Sequence, residues 1–455
     1  MKSLRLVALL MSGFMWTTAL VADESPKPFQ NGQKIVFYGD SITHGGMYEY
    51  YVQLFYATRF PGRKITVINA GVSGDTAAGG LFRLVPDVLV HKPDLVYMMF
   101  GMNDVGRGYY KTSTADEKTK AAREGRLAEY KSSMAENIRR IKDSGASVVV
   151  VTPSPYDQYS SSAKSENLAA CNDGLGKCAA IGRELAGGAK QSVAELYAPM
   201  TELIAANPEL KLCGDDRVHP SPAGHMTMAY FILKSQQISG IVARVSIDYA
   251  GKRVLAAENC RIDKINTKQN SLVFSYHAEA LPFPVCQEYK DSAKIVPWET
   301  LNQEIVQIKN LPAGNYLLKC GGKDAGRFSA EQFAAGVNIA GLPTMQQQKS
   351  QQLLAAVINV ANAARPLRDI AQLNTMLFKN KINPDDFKAA DQYLDAFLAN
   401  IAKYSPSNLK YNTVVVQRFR ENRAKQPELL KKAADTQAEF YRLQTTEPYQ
   451  MEIIR

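Results

Sequence analysis

The sequence contains a hydroxyl nucleophile and a base that could activate it. Residues 34–46 read KIVFYGDSITHGG, an apolar run that breaks at a turn carrying Ser41. Serine attacks a carbonyl carbon only when a base removes its proton. His219 stands three residues after Asp216, a spacing that lets the carboxylate orient one ring nitrogen and leaves the other for Ser41. The chain order Ser, Asp, His fits a catalytic triad, and the neighbouring Asp215 is the alternative carboxylate.

The four other histidines are less suited to act as the base. Each of them either lies in an unsuitable part of the chain or lacks a nearby carboxylate that could orient its ring. His44 has no carboxylate three residues before it of the kind that precedes His219, and His225 lies inside a helix-like segment where a structural role is expected. His91 precedes a predicted strand at the edge of the sheet opposite Ser41, and His277 lies in a β-rich region.

Acyl transfer also needs hydrogen-bond donors for the negative charge that develops on the carbonyl oxygen. Gly74 follows the second apolar run and could present an unobstructed backbone N–H, while the amide of Asn103 follows the third run. Taken alone, each is more often a turn former or a backbone cap. Because Ser41, Gly74 and Asn103 each follow a successive strand, they are predicted to meet at one rim of a sheet.

The apolar runs and the helical segments between them predict an α/β fold with a parallel sheet covered by helices on both faces. Leu127, Tyr130, Met134, Ile138 and Ile141 recur at helical spacing, and a helix over 222–234 is expected to close the unit. Polar stretches over 105–126 and 156–166 are predicted loops that could shape a cleft. The predicted strands cover residues 35–38, 64–69, 94–100, 146–152 and 192–197.

Four short blocks resemble, in order, the signature blocks of the SGNH (GDSL-type) hydrolases. They are GDSI at 39–42, VSGDT at 72–76, GMND at 101–104 and DRVH at 216–219, and the resemblance spans roughly residues 33–238. The GxSxG motif of the α/β-hydrolases is absent.

The resemblance implies a flavodoxin-like three-layer α/β/α fold and assigns a role to each block. It implies Ser41 as nucleophile and Asp216 with His219 as the other triad members. The oxyanion hole would consist of the backbone N–H groups of Ser41 and Gly74 and the side chain of Asn103. No metal or other cofactor is implied.

Beyond the hydrolase-like part, the pattern changes twice. We predict a catalytic domain over 30–240, a small β-rich domain over 241–340 with a hairpin at 311–314, and a helical region over 345–455 in which Asn383 and Pro384 begin a helix. Trp298 is the only tryptophan after residue 22, which favours structural packing over a sugar-binding module.

The N-terminus predicts export. Two cations, Lys2 and Arg5, precede an apolar stretch from 6 to 22, after which the chain turns polar, as in a signal peptide cleaved near Ala22. A secreted or periplasmic protein is expected, in which six cysteines permit up to three disulfides of unreadable pairing. Cleavage removes two cations and no acids, changing the net charge from +10 to +8. Basic runs interleaved with aromatics are absent, which disfavours nucleic acid, and no later segment is expected to insert in a membrane.

The leading hypothesis is a carboxylester hydrolase that removes acetyl groups from a carbohydrate. A lysophospholipase or broad acyl esterase would use the same catalytic residues with an apolar channel, drawn from 47–55, Tyr109 and Tyr110. A third alternative is a catalytically silent glycan-binding scaffold. We predict no particular oligomeric state, glycan or role for 241–455.

Overall fold

The structure is a computed structural model that describes residues 25–161, 163–268 and 271–455. The predicted signal peptide, residues 1–22, lies outside the described residues.

Five parallel strands form the sheet that carries the predicted site residues. The strand order is β2-β1-β3-β4-β5, so the chain runs outward from β1 first on one side and then on the other. The crevice where strand order reverses in such a sheet lies at the carboxyl ends of the central strands, here β1 and β3. The strands are β1 (Lys34–Gly39), β2 (Thr66–Gly71), β3 (Leu95–Met99), β4 (Ser147–Val151) and β5 (Ser192–Ala194).

The helices between these strands cover the sheet, as the alternating pattern predicts. They are α1 (Ser41–Gly45), α2 (Tyr48–Arg59), α3 (Ala77–Arg83), α4 (Glu117–Asp143), α5 (Cys171–Ala189), α6 (Tyr197–Ala206) and α7 (Pro222–Ser235). Helix α4 packs between α3 and α5, while α2 packs against α7. All five predicted strands are present. The predicted loop over 105–126 is shorter than expected, because Asp116 accepts the N–H of Thr119 and begins α4 at Glu117.

Two further sheets follow, sharing a second apolar core. One has the order β13-β10-β6-β7 and the other β12-β11-β14-β9-β8. The strands that follow α7 are β6 (Ile241–Asp248), β7 (Arg253–Glu258), β8 (Cys260–Lys268), β9 (Ser271–Ala278), β10 (Gln303–Lys309), β11 (Asn315–Cys320), β12 (Lys323–Ser329), β13 (Val337–Asn338) and, at the end of the chain, β14 (Tyr449–Ile454). Two short helices, α8 (Gln287–Ser292) and α9 (Ala330–Ala335), lie among them.

The predicted hairpin at 311–314 is wrong. Strand β10 pairs with β6 and β13, whereas β11 pairs with β12 and β14. The connection at 311–314 therefore crosses from one sheet to the other. A turn sequence between two alternating runs does not specify whether the runs pair with each other or with strands elsewhere.

Four long helices fill most of the C-terminal part: α10 (Met345–Lys379), α11 (Phe387–Tyr404), α12 (Leu409–Asn422) and α13 (Gln426–Arg442). The N-cap of α11 is Asp386, which accepts the N–H of Ala389, rather than Asn383. The helical region also does not extend to residue 455, because β14 inserts between β11 and β9. The first half of α10 packs on the α/β core through Leu353, Val357 and Val360, and its second half packs on α11 and α12.

The predicted limits 30–240, 241–340 and 345–455 remain predictions as domain boundaries. One stretch between β9 and β10 contributes to the first core rather than to the β-rich core. It includes Leu281, Phe283 and Trp298, and the Trp298 ring stacks on Phe283 at 5.1 Å between centroids. The expected structural role of Trp298 is confirmed. Among the described helices, none is long and apolar enough to cross a membrane.

The six cysteines are free thiols in the structure, so the disulfides considered from the even count are not present. Cys171 and Cys178 lie on the same helix, α5, and both are buried in the first core. Cys260 and Cys320 belong to the second core. Burial raises the pKa of the Cys171 and Cys286 thiols to about 12, so these side chains behave as small apolar groups.

Candidate active site

Ser41 lies at the carboxyl end of β1, where the chain turns into α1. Asp40 caps the helix, its Oδ1 accepting the N–H of Ile42 at 2.9 Å. The preceding Gly39 cannot carry a side chain, because a Cβ there would lie 2.6 Å from the carbonyl oxygen of Met99 and 2.5 Å from Oγ1 of Thr43. Close packing of β1 against β3 and α1 thus positions the turn. As the first residue of α1, Ser41 has an N–H with no acceptor inside the helix.

The structure brings Ser41, His219 and Asp216 together in the predicted order. His219 Nε2 lies 2.8 Å from Ser41 Oγ, and His219 Nδ1 lies 2.5 Å from Asp216 Oδ2. The side chains of His219 and Asp216 are 48% and 51% exposed. The alternative carboxylate, Asp215, is turned outward and pairs with Lys164.

Asp216 also holds the backbone of its own turn. Its Oδ1 accepts the N–H groups of Val218 and His219, both at 3.0 Å. Burial opposes ionisation of the carboxyl group, but the hydrogen bonds from the His219 ring and from these two backbone groups outweigh it and lower the pKa of Asp216. The carboxylate is therefore anionic at neutral pH, as required to accept a hydrogen bond from the Nδ1–H of His219.

Arg217, between the two triad members, anchors this turn to the loop over 156–166. It adopts a left-handed backbone with φ of 64°, which costs a non-glycine residue about 1–2 kcal/mol. Its buried guanidinium donates to three backbone carbonyl groups of the loop, those of Asp157, Ser160 and Ser165. These bonds offset the strain and fix the loop against the triad turn. Nothing in the spacing of DRVH indicated this role.

Gly74 and Asn103 follow β2 and β3, the two strands that flank β1. Gly74 is exposed with φ of 76°, and a Cβ there would meet no atom within 4 Å. Asn103 donates one amide hydrogen to the carbonyl oxygen of Asp75 at 2.9 Å, leaving the other for a ligand. Asp104 joins the two loops, accepting the N–H of Ala77 at 2.8 Å and that of Gly101 at 3.0 Å.

The other histidines take structural positions. His44 Nδ1 lies 3.2 Å from the backbone N of Ser73 and 3.1 Å from its hydroxyl oxygen. Burial and the nearby Arg368 lower the pKa of His44 to about 4, so a neutral ring can accept the Ser73 N–H. Burial lowers the pKa of His225 to about 3. His277 contacts Arg261 in the β-rich region.

Glu49, a buried residue in the first turn of α2, is expected to make stability pH-dependent. Its Oε1 accepts from Asn69 Nδ2 at 2.6 Å, and its Oε2 has no partner within the described ranges. Burial raises its pKa from 4.5 to about 8, despite the opposing hydrogen bonds. A raised folded-state pKa contributes stability that is present below pH 4.5 and lost as the pH rises through 8.

In Glu49→Gln this loss is absent. The unfolding free energy of the variant, relative to that of the wild type, should therefore increase between pH 5 and pH 9 by about a few kcal/mol. Urea unfolding at both pH values measures it, with the exposed Glu209→Gln as control. A gain that does not change with pH would contradict the assignment.

Comparison with known proteins agrees with this geometry. Residues 37–226 match the GDSL-like Lipase/Acylhydrolase family, and this part of the chain is an SGNH (GDSL-type) hydrolase domain. The protein is accordingly an enzyme that hydrolyses ester bonds.

The chain is similar to two esterases and to an enzyme of solved structure, among others. An acetylxylan esterase of Geobacillus stearothermophilus is 27% identical over 219 residues, which cover 45% of this chain and 94% of the relative. An arylesterase of Vibrio mimicus is 32% identical over 128 residues, covering 27% of this chain and 55% of the relative. A solved structure described as a gut microbial diltiazem-metabolizing enzyme is 28% identical, with a TM-score of 0.85, and covers 95% of this chain and 99% of its own.

Proposed function

We propose that the protein is an exported serine carboxylester hydrolase that removes O-acetyl groups from a carbohydrate by way of an acyl-enzyme. The observation that carries the proposal is the hydrogen-bonded chain from Asp216 through His219 to Ser41 at an exposed rim of the sheet. His219 is within hydrogen-bond distance of both Asp216 and Ser41 without rearrangement.

The proposed mechanism follows from the direction of these hydrogen bonds. With the Nδ1–H of His219 donated to Asp216, Nε2 can accept the proton of Ser41 as Oγ attacks the ester carbonyl carbon. The protonated ring then gives this proton to the sugar oxygen as the ester C–O bond breaks, which releases the sugar alcohol and leaves the acetyl group on Ser41. In deacylation, His219 deprotonates a water molecule that attacks the acetyl-enzyme, and Ser41 recovers its proton.

Substitution of Asn103 tests whether its side chain stabilises the oxyanion. Asn103→Ala is expected to lower kcat about a hundredfold to a thousandfold, because one preorganised donor to the developing oxyanion is lost. The bond to Asp75 is lost too, so unfolding free energy should fall by only about 1 kcal/mol. Kinetics with 4-nitrophenyl acetate and thermal unfolding separate the two effects.

Asn412→Ala is the matched control, since Asn412 also donates its amide to a backbone carbonyl but lies on α12. If Asn103→Ala lowers stability strongly and kcat by no more than this control, Asn103 is structural.

Three observations support a carbohydrate as the alcohol part of the substrate. The base and its carboxylate are half exposed, so a polymer can approach the rim. Tyr109 and Tyr159, on the loops after β3 and β4, are 45% and 41% exposed, and such rings suit stacking on sugars. The similarity to an acetylxylan esterase points in the same direction.

The apolar channel of the lipid alternative has less support. The side chains of Tyr48, Tyr51 and Phe55 on α2 are buried in the core, as is Tyr110. These four aromatic side chains therefore pack in the core and do not line a channel for an acyl chain.

The experiment is hydrolysis of 4-nitrophenyl esters of increasing chain length, followed by acetate release from acetylated xylan and from diltiazem, with Ser41→Ala in parallel. Acetyl preference that disappears in the variant supports the proposal. Preference for long chains would favour the lipid alternative, and equal activity of the variant would exclude Ser41 as nucleophile.

Export is tested separately. N-terminal sequencing of the protein recovered from the periplasm or medium of an expressing bacterium should begin near Asp23. An uncleaved chain retained in the cell interior would contradict the proposed signal peptide.

A further inference from the structure

A chain of buried charged side chains joins α10 to the loop that carries Gly74. Arg368 on α10 makes a two-pronged contact with Asp87, at 2.7 and 3.1 Å. Arg83 on α3 donates to the same carboxylate at 2.7 Å and, through Nε, to Asp75 at 2.7 Å. The side chains of these four residues are 10% exposed or less.

Arg83 also binds the ends of two strands. Its Nη2 donates to the carbonyl oxygen of Gly39 at 2.8 Å, and its Nη1 donates to that of Ala70 at 2.7 Å. Gly39 precedes the turn with Ser41, and Ala70 lies in the last part of β2. The guanidinium therefore sets the position of the nucleophile turn relative to the Gly74 loop.

Helix α10 supplies one cation to each of the two carboxylates that share Arg83. Arg368 serves Asp87, and Lys379, at the C-terminal end of the helix, lies 3.3 Å from the other oxygen of Asp75. Burial opposes the charge on Asp87, but Arg368 and Arg83 together lower its pKa to about 2. Removing Arg368 would leave Asp87 to compete with Asp75 for Arg83.

Asp75 is the point where this network reaches the proposed oxyanion hole. It directly follows Gly74, and its carbonyl oxygen accepts the amide of Asn103 at 2.9 Å. A rotation of Asp75 would move both of the donors contributed by the loops after β2 and β3.

We propose that α10, which lies outside the hydrolase domain, completes the active site, with Arg368 and Lys379 acting as positioning residues for the oxyanion hole. The inference rests on the proposed function for its kinetic consequence. The structural consequence, a more mobile Gly74 loop when Arg368 is lost, does not depend on any activity.

The kinetic test measures kcat and KM for 4-nitrophenyl acetate in Arg368→Met and Lys379→Met. We expect kcat to fall about tenfold to fiftyfold in the first and threefold to tenfold in the second, with KM within twofold, because donors to the transition state are misplaced while ground-state binding is retained. Lys379 is 35% exposed, so Lys379→Met keeps the proposal testable if Arg368→Met does not fold.

Arg420→Met is the matched control. Arg420 also bridges carboxylates, those of Asp391 and Asp395, but within the C-terminal helices. It is expected to lower thermal stability without changing kcat. A comparable fall in kcat in this control would mean that any loosening of the helices is sufficient, and would overturn the assignment.

A double-mutant cycle distinguishes positioning from general damage. In an Asn103→Ala background, Arg368→Met should lower kcat by a smaller factor than it does in the wild type, because one of the two donors that it positions is already absent. The apparent pKa of the pH–rate profile should not change, since His219 and Asp216 stand on a different loop. Equal effects in both backgrounds would overturn the proposal.

Hydrogen–deuterium exchange gives the readout that is independent of catalysis. Peptides covering residues 70–77 should exchange faster in Arg368→Met than in the wild type or in Arg420→Met. Unchanged exchange in this segment overturns the inference even if the wild type proves inactive on esters. Faster exchange in an inactive wild type would instead leave the positioning role standing and refute the proposed function.

Discussion

Ser41→Ala is expected to lower kcat for 4-nitrophenyl acetate by about ten-thousandfold or more. The variant lacks the hydroxyl that lies 2.8 Å from His219 Nε2, and loss of the nucleophile removes the covalent route entirely. Ser41 is half-buried, and among the described residues its hydroxyl bonds to His219, so the unfolding free energy should change by about 1 kcal/mol at most.

Ser235→Ala provides the comparison for this result. Ser235 is also half-buried, and its hydroxyl donates to the carbonyl oxygen of Ile232 at the end of α7, so its loss tests hydroxyl removal without the chemistry. A fluorophosphonate probe should label the wild type and the Ser235 variant on the peptide containing Ser41. Residual turnover above about a tenth of wild type in Ser41→Ala would place the nucleophile elsewhere.

Asp216→Asn should have the second-largest effect, a fall in kcat of about a thousandfold to ten-thousandfold at neutral pH. The backbone N–H groups of Val218 and His219 hold one side-chain oxygen, so an asparagine would direct its amide nitrogen toward the ring. His219 Nδ1 would then accept a hydrogen bond, and Nε2 would carry the proton and lose its capacity to accept from Ser41. Asp216 is half exposed, and water weakens the electrostatic effect of an exposed carboxylate. The expected fall in kcat therefore extends below ten-thousandfold.

Asp215→Asn is the matched control, since this neighbouring carboxylate bonds to Lys164 at the surface rather than to the triad. Its kcat should stay within twofold of the wild type across pH 6 to 9. If Asp215→Asn were the more damaging substitution, the orienting carboxylate would have been misassigned.

The parallel sheet could be predicted because its strands are continuous apolar runs ended by turns, as in Val36 and Phe37 before Gly39. Strands buried on both faces carry this signal locally. The β-rich part could be recognised by its alternating runs, but its pairing could not. Strand β14 lies between β11 and β9, and nothing in residues 449–454 indicates partners at more than a hundred residues' distance.

By itself, the sequence indicated the candidate site residues and their order. A serine after a buried strand, donors after the next two strands and a carboxylate three residues before a histidine are local features, and parallel topology brings them to one rim. The tertiary structure alone decided what holds them there. Arg217 bonds carbonyl groups of another loop, and Arg368 reaches Asp87 across 281 positions of sequence. Such contacts depend on how whole elements pack, because a buried charge finds its partner through the geometry of the folded chain rather than through any short pattern.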